Sequence, residues 1–183
     1  MVNKAIFIYL IIFFSLILTG CHNFRLQSNS QYSNSNKSLA CVREENNLNE
    51  SNPIALYKAM VSCIKNNLYE KGIFLYLLAG SYTYYDANRI NTFYARKVHH
   101  DLLAENLAFL TKAEYNSFWS NLKDFMKQDK QRKMVCVKIE QVGAPNYQPS
   151  YMLKNKVSNV SQYSVDYVLF KKSVNSYLNC LYQ

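Results

Sequence analysis

The sequence predicts an all-α fold, a small irregular bundle of five or six helices. Three observations predict it. Apolar residues recur at spacings of three and four through most of the chain beyond residue 50, as one buried helical face requires. The 183 residues include only four glycines and three prolines, too few for the many tight turns of a sandwich or barrel. Several of the periodic stretches open on helix-capping residues. At 49% hydrophobic and 15% aromatic, the chain has material for the core of one domain rather than two.

The elements follow in order. Ser51-Asn52-Pro53 is a helix start, with a capping side chain and a proline in the first turn. Ile54, Tyr57, Val61, Ile64 and Leu68 then line one face. A second helix is expected over about residues 70–85, with Ile73, Phe74, Leu77, Leu78, Ser81 and Tyr84 inward or partly inward. Asp86 is expected to cap a third helix that reaches about residue 110 and carries Ile90, Phe93, Leu103 and Leu107. Thr111-Lys112-Ala113-Glu114 is a capping-box pattern. It opens a fourth helix striped by Tyr115, Phe118, Trp119, Leu122, Phe125 and Met126. A fifth, over about residues 129–142, stops at Gly143, and the run from Gly143 to Pro149 breaks helical geometry. A last helix near residues 164–181 presents Phe170, Val174, Leu178 and Leu181.

Ahead of the helices stands a leader. Lys4 supplies a positive start, and residues 5–18 form an uncharged apolar run, shorter than the roughly 20 residues of a comfortable bilayer span. Leu18-Thr19-Gly20-Cys21 follows and resembles the lipobox of bacterial lipoproteins. The resemblance implies a signal peptide over residues 1–20, cut after Gly20. It also implies a diacylglycerol in thioether linkage to Cys21 and an acyl chain on the freed amine. Each buried methylene contributes about 0.8 kcal/mol, so two or three chains hold far more firmly than one. His22 in place of Asp implies, by the family's sorting rule, the outer membrane, on its periplasmic side.

Residues 21–50 read as a lipidated tether. Gln27-Ser28-Asn29-Ser30-Gln31-Tyr32-Ser33-Asn34-Ser35-Asn36 is polar and nearly uncharged, and such a stretch buries too little surface to offset its ordering entropy. The helical domain is then residues 51–183. Within it, residues 65–79 resemble the turn and second helix of a tetratricopeptide unit, with Gly72 at the small-residue position and Tyr76 and Ala79 at later packing positions. Upstream the pattern departs: Leu56 stands where Trp is usual, and Ala59, Met60 and Cys63 replace Leu, Gly and Tyr. The stretch from Ile139 to Met152 is similar to that of uncharacterised proteobacterial lipoproteins, a likeness that carries no activity with it.

Four cysteines remain once Cys21 is lipidated: Cys41, Cys63, Cys136 and Cys180. An oxidising periplasm invites two disulfides, with three connectivities open. Cys63–Cys136 with Cys41–Cys180 is the favoured pairing, free buried thiols the alternative. No Cys-x-x-Cys occurs, which argues against a thioredoxin-like redox site.

His99, His100 and Asp101 invite a metal, but adjacent helical side chains point about 100° apart. No second ligand stands three or four residues on, so no metal and no cofactor beyond the covalent lipid are expected. The chain has no P-loop, no dinucleotide fingerprint and no Gly-x-Ser-x-Gly, and its twelve carboxylates are scattered. It reads as no enzyme and offers no catalytic residues.

The formal charge is +9, or +8 once Lys4 leaves with the leader. Lys123, Lys127, Lys130, Arg132, Lys133 and Lys138 form a basic cluster against Asp124 and Asp129. Such a cluster suits anionic headgroups, acidic glycan or an acidic protein, and export makes nucleic acid an improbable partner. Tyr82, Tyr84 and Tyr85 read either as an aromatic surface or, at helical spacing, as core with wet hydroxyls. The function expected is a non-catalytic protein-interaction module of the cell envelope, an assembly accessory or a toxin-immunity protein. The alternative is a lipoprotein binding lipid or glycan fragments in an apolar cleft between helices.

Overall fold

The computed structural model describes residues 41, 47–154 and 164–180. The leader, Cys21, most of the expected tether and Leu181 lie outside the described residues. Six α-helices form the bundle: α1 (Pro53–Lys65), α2 (Tyr69–Ile90), α3 (Phe93–Leu107), α4 (Lys112–Lys127), α5 (Asp129–Val142) and α6 (Tyr167–Leu178). Two single 3-10 turns accompany them, Leu48–Glu50 ahead of α1 and Ser150–Met152 between α5 and α6, and no strand occurs among the described residues. The fold is all-α. No helix among the described residues is long and apolar enough to cross a membrane.

Local chemistry sets the helix ends. The Asn52 side chain accepts the Ala55 N–H at 3.0 Å, with Pro53 as the first helical residue. At α4 the capping box closes both ways: Glu114 N–H donates to Thr111 Oγ1 at 3.3 Å, and Thr111 N–H donates to the Glu114 carboxylate at 2.7 Å. In a chain this poor in glycine, asparagine takes over the left-handed stop. Asn67, Asn91 and Asn179 follow α1, α2 and α6 at φ of 58°, 53° and 52°. Gly143 stops α5 at φ 89°.

Three boundaries differ from the sequence reading. α2 runs on through residue 86 to Ile90, and Asp86 is wholly buried in it rather than capping a new helix. Nothing in residues 69–90 interrupts helical geometry, and Asp86 is satisfied by distant side chains. The cap of α3 is Thr92, which accepts the Ala95 N–H at 3.1 Å. Phe93 is therefore the first residue of α3 and stays 79% exposed instead of joining the core. Leu68, just ahead of α2, and Tyr115 are exposed as well. Finally, α6 starts at Tyr167, because the Asp166 side chain accepts the N–H groups of Val168 and Leu169, each at 2.9 Å.

α2 is the axis of the bundle, with α1, α3, α4 and α6 packed around it. Leu56, Met60, Ile64, Leu78, Phe118, Val174 and Leu178 fill the core with 2% exposure or less. Burial of each such side chain stabilises by about 1.5–3 kcal/mol. Two glycines let backbones close. A Cβ on Gly72 would stand 3.2 Å from Ile64 Cγ1, where α1 and α2 form a hairpin. A Cβ on Gly80 would collide with the Tyr177 ring, so α6 reaches α2 only because Gly80 has no side chain. Packing also begins ahead of Ser51: Leu48 is 2% exposed, and Asn49 O accepts the Asn146 N–H at 2.7 Å.

Both disulfides are present, in a different pairing from the one favoured above. Cys41 joins Cys63 with Cα atoms 4.7 Å apart, and Cys136 joins Cys180 at 6.1 Å. The physical reason is position. Cys63 lies near the end of α1, where the Cys41 N–H reaches Ser62 Oγ at 3.4 Å, while α5 packs on α6 and brings Cys136 to Cys180.

Candidate functional site

The densest meeting of titratable groups is one that local sequence patterns conceal. Asp86 has no exposure and the Arg89 side chain only 4%. Arg89 Nε donates to Asp86 Oδ1 at 2.8 Å, with its terminal nitrogen at 2.7 Å from the same oxygen. The other carboxylate oxygen, Oδ2, accepts the Tyr147 hydroxyl at 3.0 Å and the Tyr151 hydroxyl at 2.6 Å. Arg89 also donates to Tyr147 O at 3.3 Å, and its guanidinium lies 4.9 Å from the Tyr85 ring centre.

The electrostatics follow from burial. Loss of water raises the Asp86 carboxyl above the usual carboxylate range, while Arg89 and the two hydroxyls pull it back. Burial and the Asp86 charge hold the Tyr147 and Tyr151 hydroxyls protonated, so both remain donors. Every strong group here is spent on another member of the cluster. Its effect is to clamp the segment after α5 onto α2, helped by Tyr82, whose hydroxyl donates to Gly143 O at 2.8 Å. It is a staple within the fold.

The tyrosines of α2 resolve as core. Tyr82 and Tyr85 have no exposure and pack on Phe170 of α6 at 6.0 and 5.6 Å. Tyr84 is half-buried against His99 and Tyr177. His99 sits over α2, with Nδ1 2.7 Å from Thr83 Oγ1. Burial, and then the neighbouring His100, push its imidazole down to about 4, so it is neutral at pH 7. Asp101 pairs with Lys97 on the exposed side. Among the described residues no group of three metal-ligating side chains comes together.

A second polar set lies between α1, α2 and α6. The Tyr57 hydroxyl is buried beside Thr83, Tyr76 and Tyr177. Desolvation raises the hydroxyls of Tyr57, Tyr76 and Tyr177 alike, which leaves them protonated at pH 7. Two Ser-x-x-Lys tetrads, Ser62 to Lys65 and Ser120 to Lys123, occur by spacing alone. Ser62 Oγ is occupied by the Cys41 N–H, and Lys65 and Lys123 face solvent.

The basic cluster divides in two. Arg132 is held by Asp129 at 2.6 Å and Met126 O at 3.4 Å. Lys138 lies with Nζ 4.3 Å from the Phe74 ring centre. These two fasten α5 to its neighbours. Lys123, Lys127, Lys130 and Lys133 are exposed on either side of Gln128, the single residue between α4 and α5. Lys127 shares Asp124 at 3.3 Å, in a pair exposed on both sides. Along the outer face of α5, Met134 and Val137 extend the same stripe at 54% and 50% exposure. This corner is the candidate functional surface.

No protein family, curated protein or solved structure matches the chain.

Proposed function

We propose that this chain is a lipid-anchored protein of the bacterial envelope that works by contact and performs no catalysis. The observation that carries the reading is Leu18-Thr19-Gly20-Cys21 directly after a short apolar leader. The lipid sits on Cys21, and His22 favours the periplasmic face of the outer membrane. Two disulfides within one small domain agree with an oxidising compartment. The interaction-module reading is supported by what the polar interior does. Asp86, Arg89, Tyr147 and Tyr151 are enclosed and bonded to one another, while the exposed chemistry is a lysine corner suited to contact. An assembly accessory and an immunity protein against a periplasmic toxin are the two concrete forms of such a module.

The test has two parts. A fatty-acid probe should label the chain in cells, and Cys21→Ser should abolish the label and release the protein from the membrane fraction. Label that persists in the variant overturns the anchor. Crosslinking in intact cells should then recover one envelope protein. Consistent recovery of lipid with no protein overturns the contact reading in favour of a cleft for lipid or glycan fragments.

A further inference from the structure

We propose that the α4–α5 corner docks on an anionic lipid surface and so sets which face of the bundle lies against the membrane. The proposal deepens the envelope-anchored reading and rests on it.

The chemistry of the corner selects this occupant. Its exposed cations are all lysines, Lys123, Lys127, Lys130 and Lys133, while Arg132 is only 19% exposed and is neutralised by Asp129 on the surface of its own helix, with a further bond to Met126 O. A lysine ammonium is a compact, hydrated point charge on a mobile stem. It suits a diffuse layer of headgroups, whereas planar, bidentate recognition of a protein carboxylate favours arginine. Beside the lysines, Met134 and Val137 present apolar side chains one helical turn apart on the solvent face of α5. Basic side chains flanking exposed apolar ones let a helix lie at the headgroup boundary with those residues inserted. The inner face of the same helix, with Val135, Cys136 and Ile139, is buried in the bundle, and the Cys136–Cys180 bond ties it to the segment that follows α6. The outward stripe is therefore presented on a fixed support.

Lysines near an anionic leaflet raise partitioning roughly five-fold each, and salt screens the gain. Together with a lipid at Cys21 this makes a two-signal attachment, in which the acyl chains set the residence and the corner sets the orientation.

The experiment places a reporter at the corner of the full chain. Trp119 is the only tryptophan, and its indole N–H has no hydrogen-bond partner among the described residues. Trp119→Phe therefore removes background emission without breaking a hydrogen bond. Met134→Trp in that background is mixed with brominated-lipid vesicles, either of phosphatidylcholine alone or with phosphatidylglycerol added. Bromolipid should quench emission in the anionic vesicles only. The quenching should disappear with added salt and with Lys123→Gln, Lys127→Gln, Lys130→Gln and Lys133→Gln together. A control removing equal charge elsewhere, Lys58→Gln, Lys154→Gln, Lys171→Gln and Lys172→Gln, should retain it. Emission indifferent to phosphatidylglycerol overturns the proposal and leaves an acidic protein as the occupant. Quenching that survives both salt and removal of the four corner lysines overturns it too, and so does equal loss in the control. The salt titration needs no lysine variant, so it holds even if one of them folds poorly. Cys21 acylation without quenching at residue 134 removes this proposal alone, while quenching without acylation removes only the anchor.

Discussion

The Tyr151 hydroxyl donates to Asp86 Oδ2 at 2.6 Å across 65 residues of chain. With Tyr147 on the same oxygen and Arg89 on the other, this bond fixes the only long irregular described segment to the central helix. Asp86→Ala removes the buried carboxylate to which Arg89, Tyr147 and Tyr151 all donate, and breaking such a buried pair costs about 3–5 kcal/mol. Tyr151→Phe removes a single hydrogen bond to a charged group, at about 1.5–3 kcal/mol. Urea unfolding followed by circular dichroism should rank Asp86→Ala well below Tyr151→Phe. Equal losses would mean the carboxylate has no more at stake than one hydroxyl.

Gly80 and Tyr177 form a close pair of a different kind. Gly80→Ala drives a methyl group into the Tyr177 ring and should cost about 1–3 kcal/mol despite the better helix propensity of alanine. Tyr177→Leu in the same chain should recover part of that loss, because a smaller side chain makes room. A double-mutant cycle on thermal unfolding measures the coupling, which should be clearly non-additive.

His99 gives the fold an acid sensitivity. Its folded imidazole titrates at about 4, against an ordinary value near 6.5. Above that ordinary value both states are neutral and the group adds no pH dependence. Between the two values the unfolded chain takes a proton that the folded chain refuses, so stability falls as pH falls, and the loss levels off below about pH 4. The two values set a ceiling near 3 kcal/mol, and partial exposure of the ring reduces it to about 1–2 kcal/mol. His99→Phe, compared with the parent chain from pH 7 to pH 4, should show a flatter profile. The subtraction removes what every other group contributes.

The disulfides close loops of 22 and 44 residues. Chain entropy assigns them about 3 and about 4 kcal/mol respectively. Cys136→Ser with Cys180→Ser should therefore lower the urea midpoint more than Cys41→Ser with Cys63→Ser. The opposite order would show that the loop model fails here.

Local signals carried the fold well. The caps at Asn52 and Thr111, the stop at Gly143 and the buried stripe of Tyr57, Val61 and Ile64 depend on residues within a few positions of each other, so their chemistry can be read along the chain. Asp86 shows where that reading ends. An aspartate ahead of an apolar stretch looks like a cap, yet its partners Tyr147 and Tyr151 lie 61 and 65 residues on and carry no spacing signal. Misplacing that cap also misplaced Phe93, because the start of a helix decides which residues face in. Cysteine pairing failed for the same reason: the four thiols were identifiable, but which two meet depends on how α1, α5 and α6 pack. In the basic cluster six residues were legible as one group. Only the packing separates Arg132 and Lys138, which brace α5, from the four lysines that face outward.

The bond between Cys41 and Cys63 also determines how the domain bears a pull from its N-terminal side. Tension arriving at residue 41 passes through sulfur straight into the last turn of α1, and the chain between the two cysteines carries none of it. The loop they close is locked out of any stretching until the bond is reduced. A shear on the leading end is thus met by a whole helix docked in the bundle, where an unbridged chain would let its first turns peel away one by one.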